Sequence, residues 1–207
     1  MNVLKFCLIL LTFVSLSAQA TPQIIMVHGD SLSAGYGIAV EEGWVSLLQK
    51  KLNEKFPQRF KVINSSVSGE TTTGGAARLP ALLATHKPSI VVLELGGNDG
   101  LQGQPILIMK NNLSKMLDTI EQNNAQALLV GIQIPPNYGS RYTTQFAKVF
   151  TQVAADKDVL LVPFLLEGVA TTPELMQRDG VHPTKEAQQR MLDNVWPFLI
   201  QLINDAN

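Results

Sequence analysis

Continuous apolar runs alternating with amphipathic stretches constrain this chain more than any other feature. Residues 24–28, 60–63, 90–95, 127–134 and 159–164 read as strands. Several are apolar without interruption, as expected when helices cover both faces of a parallel sheet. Between them the apolar spacing switches to steps of three and four. Trp44, Leu48, Leu52 and Phe56 form one helical stripe; Ile106, Met109, Leu113, Met116, Leu117 and Ile120 form a second. Phe146, Val149, Phe150 and Val153 form a third. A last helix starts near Thr184 and turns Ala187, Met191, Val195 and Leu199 inward, with Pro197 expected to kink or fray it. Strand–helix alternation of this kind gives an α/β fold with right-handed crossovers. Gly74-Gly75 and Pro135-Pro136 read as loop punctuation within it.

The first 20 residues stand apart. Lys5 precedes an apolar stretch over 6–16, and Ala18-Gln19-Ala20 supplies small residues for cleavage after Ala20. That apolar run falls short of the roughly 20 residues a permanent membrane helix needs. Residues 1–20 are therefore expected to be a signal peptide, leaving one domain over 21–207 and a periplasmic or secreted product. The only cysteine, Cys7, lies in the leader, so the remainder holds no disulfide, thiol nucleophile or thiolate metal site. Net charge is −1 and becomes −2 without Lys5. With no basic run or stripe, nucleic acid is excluded as a partner.

Four polar, glycine-rich segments follow the predicted strands. They are Gly29-Asp30-Ser31, the stretch over 64–70, Gly96-Gly97-Asn98-Asp99-Gly100 and Pro135-Pro136-Asn137-Tyr138-Gly139. Strands of a parallel sheet end on one edge, so topology alone brings these segments to one crevice. Ser31 on that rim is a candidate acyl-transfer nucleophile. Such a serine needs a base, and the base an orienting carboxylate. In Asp179-Gly180-Val181-His182-Pro183, Asp179 can meet imidazole Nδ1 of His182 and leave Nε2 facing Ser31. The competing reading makes His182 a cap on the helix that follows. Donors for a developing oxyanion are available from Ser31 N–H, Gly69 N–H and the Asn98 amide, although Gly69 and Gly96-Gly97 also serve as ordinary turn residues. Asp30 is expected to shape the turn. A metal site would need Asp30, Asp99, Asp179 and His182, and no ligand pair at helical spacing supports one. Neither G-x-S-x-G nor a nucleotide-binding glycine loop is present.

In Gly29-Asp30-Ser31-Leu32, Gly69, Gly97-Asn98-Asp99 and the block from Asp179 to Pro183, the chain resembles the GDSL/SGNH hydrolase family. Ser31-Leu32-Ser33-Ala34-Gly35-Tyr36-Gly37, Gly74-Gly75-x-x-Arg78-Leu79-Pro80 and Pro136-Asn137-Tyr138-Gly139-x-Arg141-Tyr142 are similar to its periplasmic acyl-thioesterase, lysophospholipase and arylesterase subfamily. The resemblance implies a flavodoxin-like α/β/α sandwich with a five-stranded parallel sheet. It implies Ser31, His182 and Asp179 as nucleophile, base and orienter, with Ser31, Gly69 and Asn98 as oxyanion hole. It also implies no metal or cofactor. Small acyl thioesters, lysophospholipids and short- to medium-chain aryl or alkyl esters are the implied substrates, handled by a monomer with no stable membrane anchor. Leu101, Tyr138 and Tyr142 would border the acyl groove, and the segment over 72–78 would move on substrate binding. One position departs from the family pattern: His28 stands where an apolar residue or glycine is usual, either as a second imidazole acting on the site or as packing at the strand end. Two rival functions remain on the same fold, a carbohydrate O-deacetylase and a non-catalytic lipid- or glycan-binding module.

Overall fold

The computed structural model describes residues 21–205; the expected signal segment, with Lys5 and Cys7, lies outside them. Five parallel strands form one sheet in the order β2-β1-β3-β4-β5. They are β1 (Gln23–Gly29), β2 (Phe60–Asn64), β3 (Ile90–Glu94), β4 (Gln126–Val130) and β5 (Leu160–Val162). Among the described residues the helices are α1 (Ser31–Ala34), α2 (Trp44–Lys55), α3 (Thr72–His86), α4 (Gly97–Leu101), α5 (Ile106–Gln122), α6 (Ser140–Lys157) and α7 (Gln188–Asp205).

The strand order dictates the layers. The connections from β2 to β3, β3 to β4 and β4 to β5 step one way across the sheet, and that from β1 to β2 steps the other. Right-handed crossovers therefore put α3, α5 and α6 on one face and α2 on the opposite face. Helix contacts agree: α3 packs on α5 and α5 on α6, while α7 returns to pack beside α2. Both faces of the inner strands are thus covered. Ile25, Met26, Val27, Val91, Val92, Leu93, Leu128, Leu129 and Val130 are all fully buried, which explains their unbroken apolar runs. The edge strands β2 and β5 are only partly covered. This is the flavodoxin-like order, whose ligand crevice lies where the chain reverses between β1 and β3.

Three boundaries differ from the sequence-based expectation. The apolar run over 127–134 outlasts β4, which ends at Val130; Ile132 and Ile134 instead line a cavity. Phe164 likewise lies beyond β5 and faces the same space. Gly74-Gly75 is helix, not loop. Thr71 caps α3 through the Gly74 N–H, and Gly75 lies so close to Leu95 and to His28 Nε2 that a Cβ would not fit. At the C-terminal end, a 3₁₀ turn over Lys185–Ala187 leads into α7, and Ala187, Met191, Val195 and Leu199 are all fully buried. Pro197 neither ends nor delimits α7, which continues to Asp205. It lies on the exposed side, where water can serve the carbonyl that a proline leaves without its N–H.

Candidate active site

The chain turns sharply as it leaves β1. Gly29 pairs in register with Glu94, and a Cβ on Gly29 would come within 2.6 Å of the Glu94 carboxylate. Asp30 then caps α1 by accepting the Leu32 N–H at 3.0 Å, as a turn-shaping residue should. Ser31 is the first residue of that single helical turn. It sits on the sheet rim at the β1/β3 switch point.

The loop before α7 brings in the imidazole. His182 Nε2 lies 2.9 Å from Ser31 Oγ, and His182 Nδ1 lies 2.7 Å from Asp179 Oδ2. The other carboxylate oxygen, Oδ1, accepts the backbone N–H of Val181 and of His182. Burial works to raise the Asp179 pKa. The N–H donors and the imidazole outweigh it and hold the group down at about 2. An ionised Asp179 accepts the Nδ1 proton, which leaves Nε2 as a bare acceptor for the Ser31 hydroxyl. Asp179, Ser31 and His182 therefore form one hydrogen-bonded line. His182 does not act as a helix cap.

Asn98 enters from α4, whose start follows the positive-φ residue Gly96. Its amide donates to Asp30 Oδ2 at 3.1 Å and to the Glu70 carbonyl at 3.0 Å. Both amide hydrogens are thereby engaged. Gly69 has φ +81 on an exposed turn closed by Glu70 N–H donating to Val67 O, and open space surrounds it. Asp99, next to Asn98, is buried and accepts both the N–H and the hydroxyl of Thr72, tying α4 to the start of α3.

A cavity of about 350 Å³ opens beside Ser31 and His182. Leu101, Ile132, Ile134, Phe164, Leu166 and Met176 supply much of its wall. Tyr138 and Tyr142 do not line it. Their hydroxyls donate to the carbonyls of Leu101 and Gln104, at 2.9 and 3.0 Å, and so hold the segment that carries the Leu101 wall.

Two buried groups near the site were not assigned a role from sequence. His28 is fully buried; its Nε2 donates to Gly75 O at 3.1 Å, and Nδ1 faces Ser65 Oγ at 3.2 Å. Burial lowers its pKa, so the neutral ring serves as packing that joins β1 to α3 and to the loop after β2. Glu94 is also fully buried. Its Oε2 accepts the Ser33 hydroxyl at 2.6 Å and, at 3.4 Å, the Asp30 N–H; its Oε1 has no hydrogen-bond partner. Burial and the neighbouring Asp30 push its pKa well up, and burial raises Asp30 to about 6. Glu94 is the member of the pair that keeps a proton. A carboxylate inside the apolar run over 90–95 was the signal available in the sequence.

A parallel sheet in this order, with a polar site over its β1/β3 switch point and an apolar cavity beside it, places the chain in the flavodoxin-like class of α/β proteins, which its SGNH-hydrolase neighbours share. The profile of the GDSL-like Lipase/Acylhydrolase family matches residues 27–190, and the chain belongs to that family. Esterase TesA of Pseudomonas aeruginosa is 49% identical over 193 residues, covering 93% of this chain and 96% of that protein. Arylesterase of Vibrio mimicus is 46% identical over 199 residues, 96% of each chain. Thioesterase 1/protease 1/lysophospholipase L1 of Escherichia coli K12 is 41% identical over 197 residues, 95% of this chain and 91% of that one. The crystal structure of TesA superposes with a TM-score of 0.83 at 50% identity, covering 86% of this chain and 98% of that one. That of AlinE4, an SGNH-hydrolase family esterase, does so with 0.74 at 33% identity, covering 89% and 98%. The chain is an ester or thioester hydrolase.

Proposed function

We propose that this protein is a secreted serine esterase of broad acyl specificity that works through an acyl-enzyme on Ser31. The observation that carries this reading is the line from Asp179 through His182 to Ser31 at the mouth of an apolar cavity. Ser31 Oγ attacks the acyl carbon as its proton passes to His182 Nε2. The tetrahedral intermediate collapses, and the leaving thiol or alcohol takes that proton. His182 next deprotonates a water that attacks the acyl-enzyme, and the proton returns to Ser31 as the carboxylic acid departs. Ser31 N–H, Gly69 N–H and the Asn98 amide serve the oxyanion. For Asn98 this means exchanging the Glu70 carbonyl for the substrate oxygen while the Asp30 contact keeps the amide aimed.

Substrate class follows from the cavity and the relatives. Its walls are mostly hydrocarbon, and about 350 Å³ is at the small end of ligand pockets, about 300–1,000 Å³. This fits short- to medium-chain acyl groups better than a sugar acetate. The names of the relatives span esterase, arylesterase, thioesterase and lysophospholipase, and we extend acyl thioesters, aryl esters and lysophospholipids to this chain as substrates. Residues 1–20 act as the signal peptide, and 21–207 work as one monomeric domain. No helix among the described residues is long and apolar enough to cross a membrane.

Ser31→Ala should abolish hydrolysis of p-nitrophenyl butyrate and labelling by a fluorophosphonate while the melting temperature stays close to the parent's. Activity retained in Ser31→Ala sinks the mechanism. Failure of the parent to take the label would mark the chain as a binding module, and preference for acetyl over octanoyl esters would favour the deacetylase.

A further inference from the structure

Tyr36 is half exposed at 52%, yet its ring is not free in solvent. It lies against the His182 imidazole with centroids 4.4 Å apart and planes tilted by 36°. The backbone on either side of this ring is tied to both halves of the site. Tyr36 N–H donates to the Ser31 carbonyl at 3.1 Å. Tyr36 O accepts the Gln177 side-chain amide at 2.8 Å, and the same amide donates to Pro183 O at 2.9 Å. The Gln177 backbone N–H donates to His182 O at 2.7 Å. Gly37 has φ +77 and leaves no space for a Cβ against that amide, so the chain after Tyr36 is held close to it.

We propose that Tyr36 is a positioning residue for the base: its ring covers one face of the His182 imidazole, and its peptide links the Ser31 turn to the His182 loop. The inference rests on the acyl-transfer reading above. The two hydrogen bonds of His182 lie in the plane of its ring and resist rotation within that plane. They resist a swing out of it poorly. Asp179 is itself 42% exposed, so the orienting carboxylate has water as a competitor. An aromatic face packed on the imidazole opposes the swing and excludes water from one side. It does more as the reaction proceeds, because His182 becomes cationic when it takes the Ser31 proton and a ring face attracts a cation. Ground-state binding of ester gains nothing from this contact. The gain belongs to the transition state and should therefore appear in kcat rather than in KM.

The test uses the full chain with Tyr36→Ala, Tyr36→Phe and Ser31→Ala, assayed on p-nitrophenyl butyrate and on the alkyl ester ethyl butyrate. Tyr36→Ala should lower kcat about 2- to 30-fold, the range expected for a cation–π contact, with KM held within about twofold and equal loss on both esters. Tyr36→Phe should rescue the rate, because the ring and not the hydroxyl is used. Melting curves follow each variant, and Gln177→Ala, which frees the peptide link without touching the ring, should fall in the same direction. Parent kcat in Tyr36→Ala overturns the proposal. So does a Tyr36→Phe variant as slow as Tyr36→Ala, or a loss confined to KM for the aryl ester, which would make Tyr36 a leaving-group contact. A slow Tyr36→Ala that is rescued by Phe supports it. Activity persisting in Ser31→Ala is the separate result that removes the acyl-enzyme reading itself.

Discussion

Asn98 holds two jobs with one amide. Bound to Asp30 it is aimed at the Ser31 rim, and bound to the Glu70 carbonyl it closes the loop that follows β2. A substrate oxyanion competes with a backbone carbonyl for one hydrogen, and the developing charge makes it the stronger acceptor. Asn98→Ala should therefore lower kcat by about 10²–10³ with little change in KM, measured by steady-state hydrolysis of p-nitrophenyl butyrate. An unchanged kcat would take Asn98 out of the oxyanion hole. At this scale the sequence was legible where side-chain chemistry is scarce. One Asp-x-x-His block and one Asn in a glycine-rich turn left few alternatives for the base and the amide. It was illegible where the partner is another buried side chain. Nothing in the sequence joins Ser33 to Glu94 or His28 to Gly75, because those pairs depend on strand register and helix approach.

Elements were legible in proportion to their apolar periodicity. The five strands and the helices α2, α5, α6 and α7 carry it, and all emerge near the expected positions. α3 does not, because Gly74-Gly75 reads as loop punctuation while Thr71 capping and packing on Leu95 and His28 hold the helix. β4 and β5 end early because the apolar residues after them face a cavity instead of a helix layer, a distinction the sequence pattern does not carry. The short α4 forms one wall of that cavity, and two tyrosine hydroxyls, from the 3₁₀ turn Pro136–Tyr138 and from α6, brace α4 and the segment after it. Each such bond contributes about 0.5–1.5 kcal/mol. The Tyr138→Phe/Tyr142→Phe double variant should loosen the Leu101 wall without touching the polar site. A chain-length series on p-nitrophenyl esters should show kcat/KM falling more for octanoyl than for acetyl. Equal losses at every length would mean that the brace does not shape the acyl site.

For the whole molecule, the buried Asp30–Glu94 pair links the nucleophile turn to global stability. Burial raises Asp30 from its ordinary 3.8 to about 6 and pushes Glu94 well up. A carboxyl that holds its proton more tightly when folded stabilises the fold fully below its unfolded pKa, and loses that stabilisation as pH rises through the folded value. For Asp30 alone the swing between about pH 4 and 6 is on the order of 3 kcal/mol. Glu94 extends the loss to higher pH. His28 and Asp179 act with the opposite sign. His28, lowered by burial, contributes fully above 6.5 and loses its contribution as pH falls through its folded value. Asp179, held at about 2, contributes fully above its ordinary 3.8 and loses that contribution as pH falls from there through about 2. Above pH 6.5 the carboxyl pair is therefore the member of this set whose contribution still changes. Glu94→Gln keeps the shape and cannot ionise, which removes the Glu94 part of the loss. Thermal melts should show the parent losing stability between pH 6.5 and 9, and Glu94→Gln losing clearly less over the same interval. Parallel melting temperatures for the two proteins across that range would mean that Glu94 does not titrate in the fold.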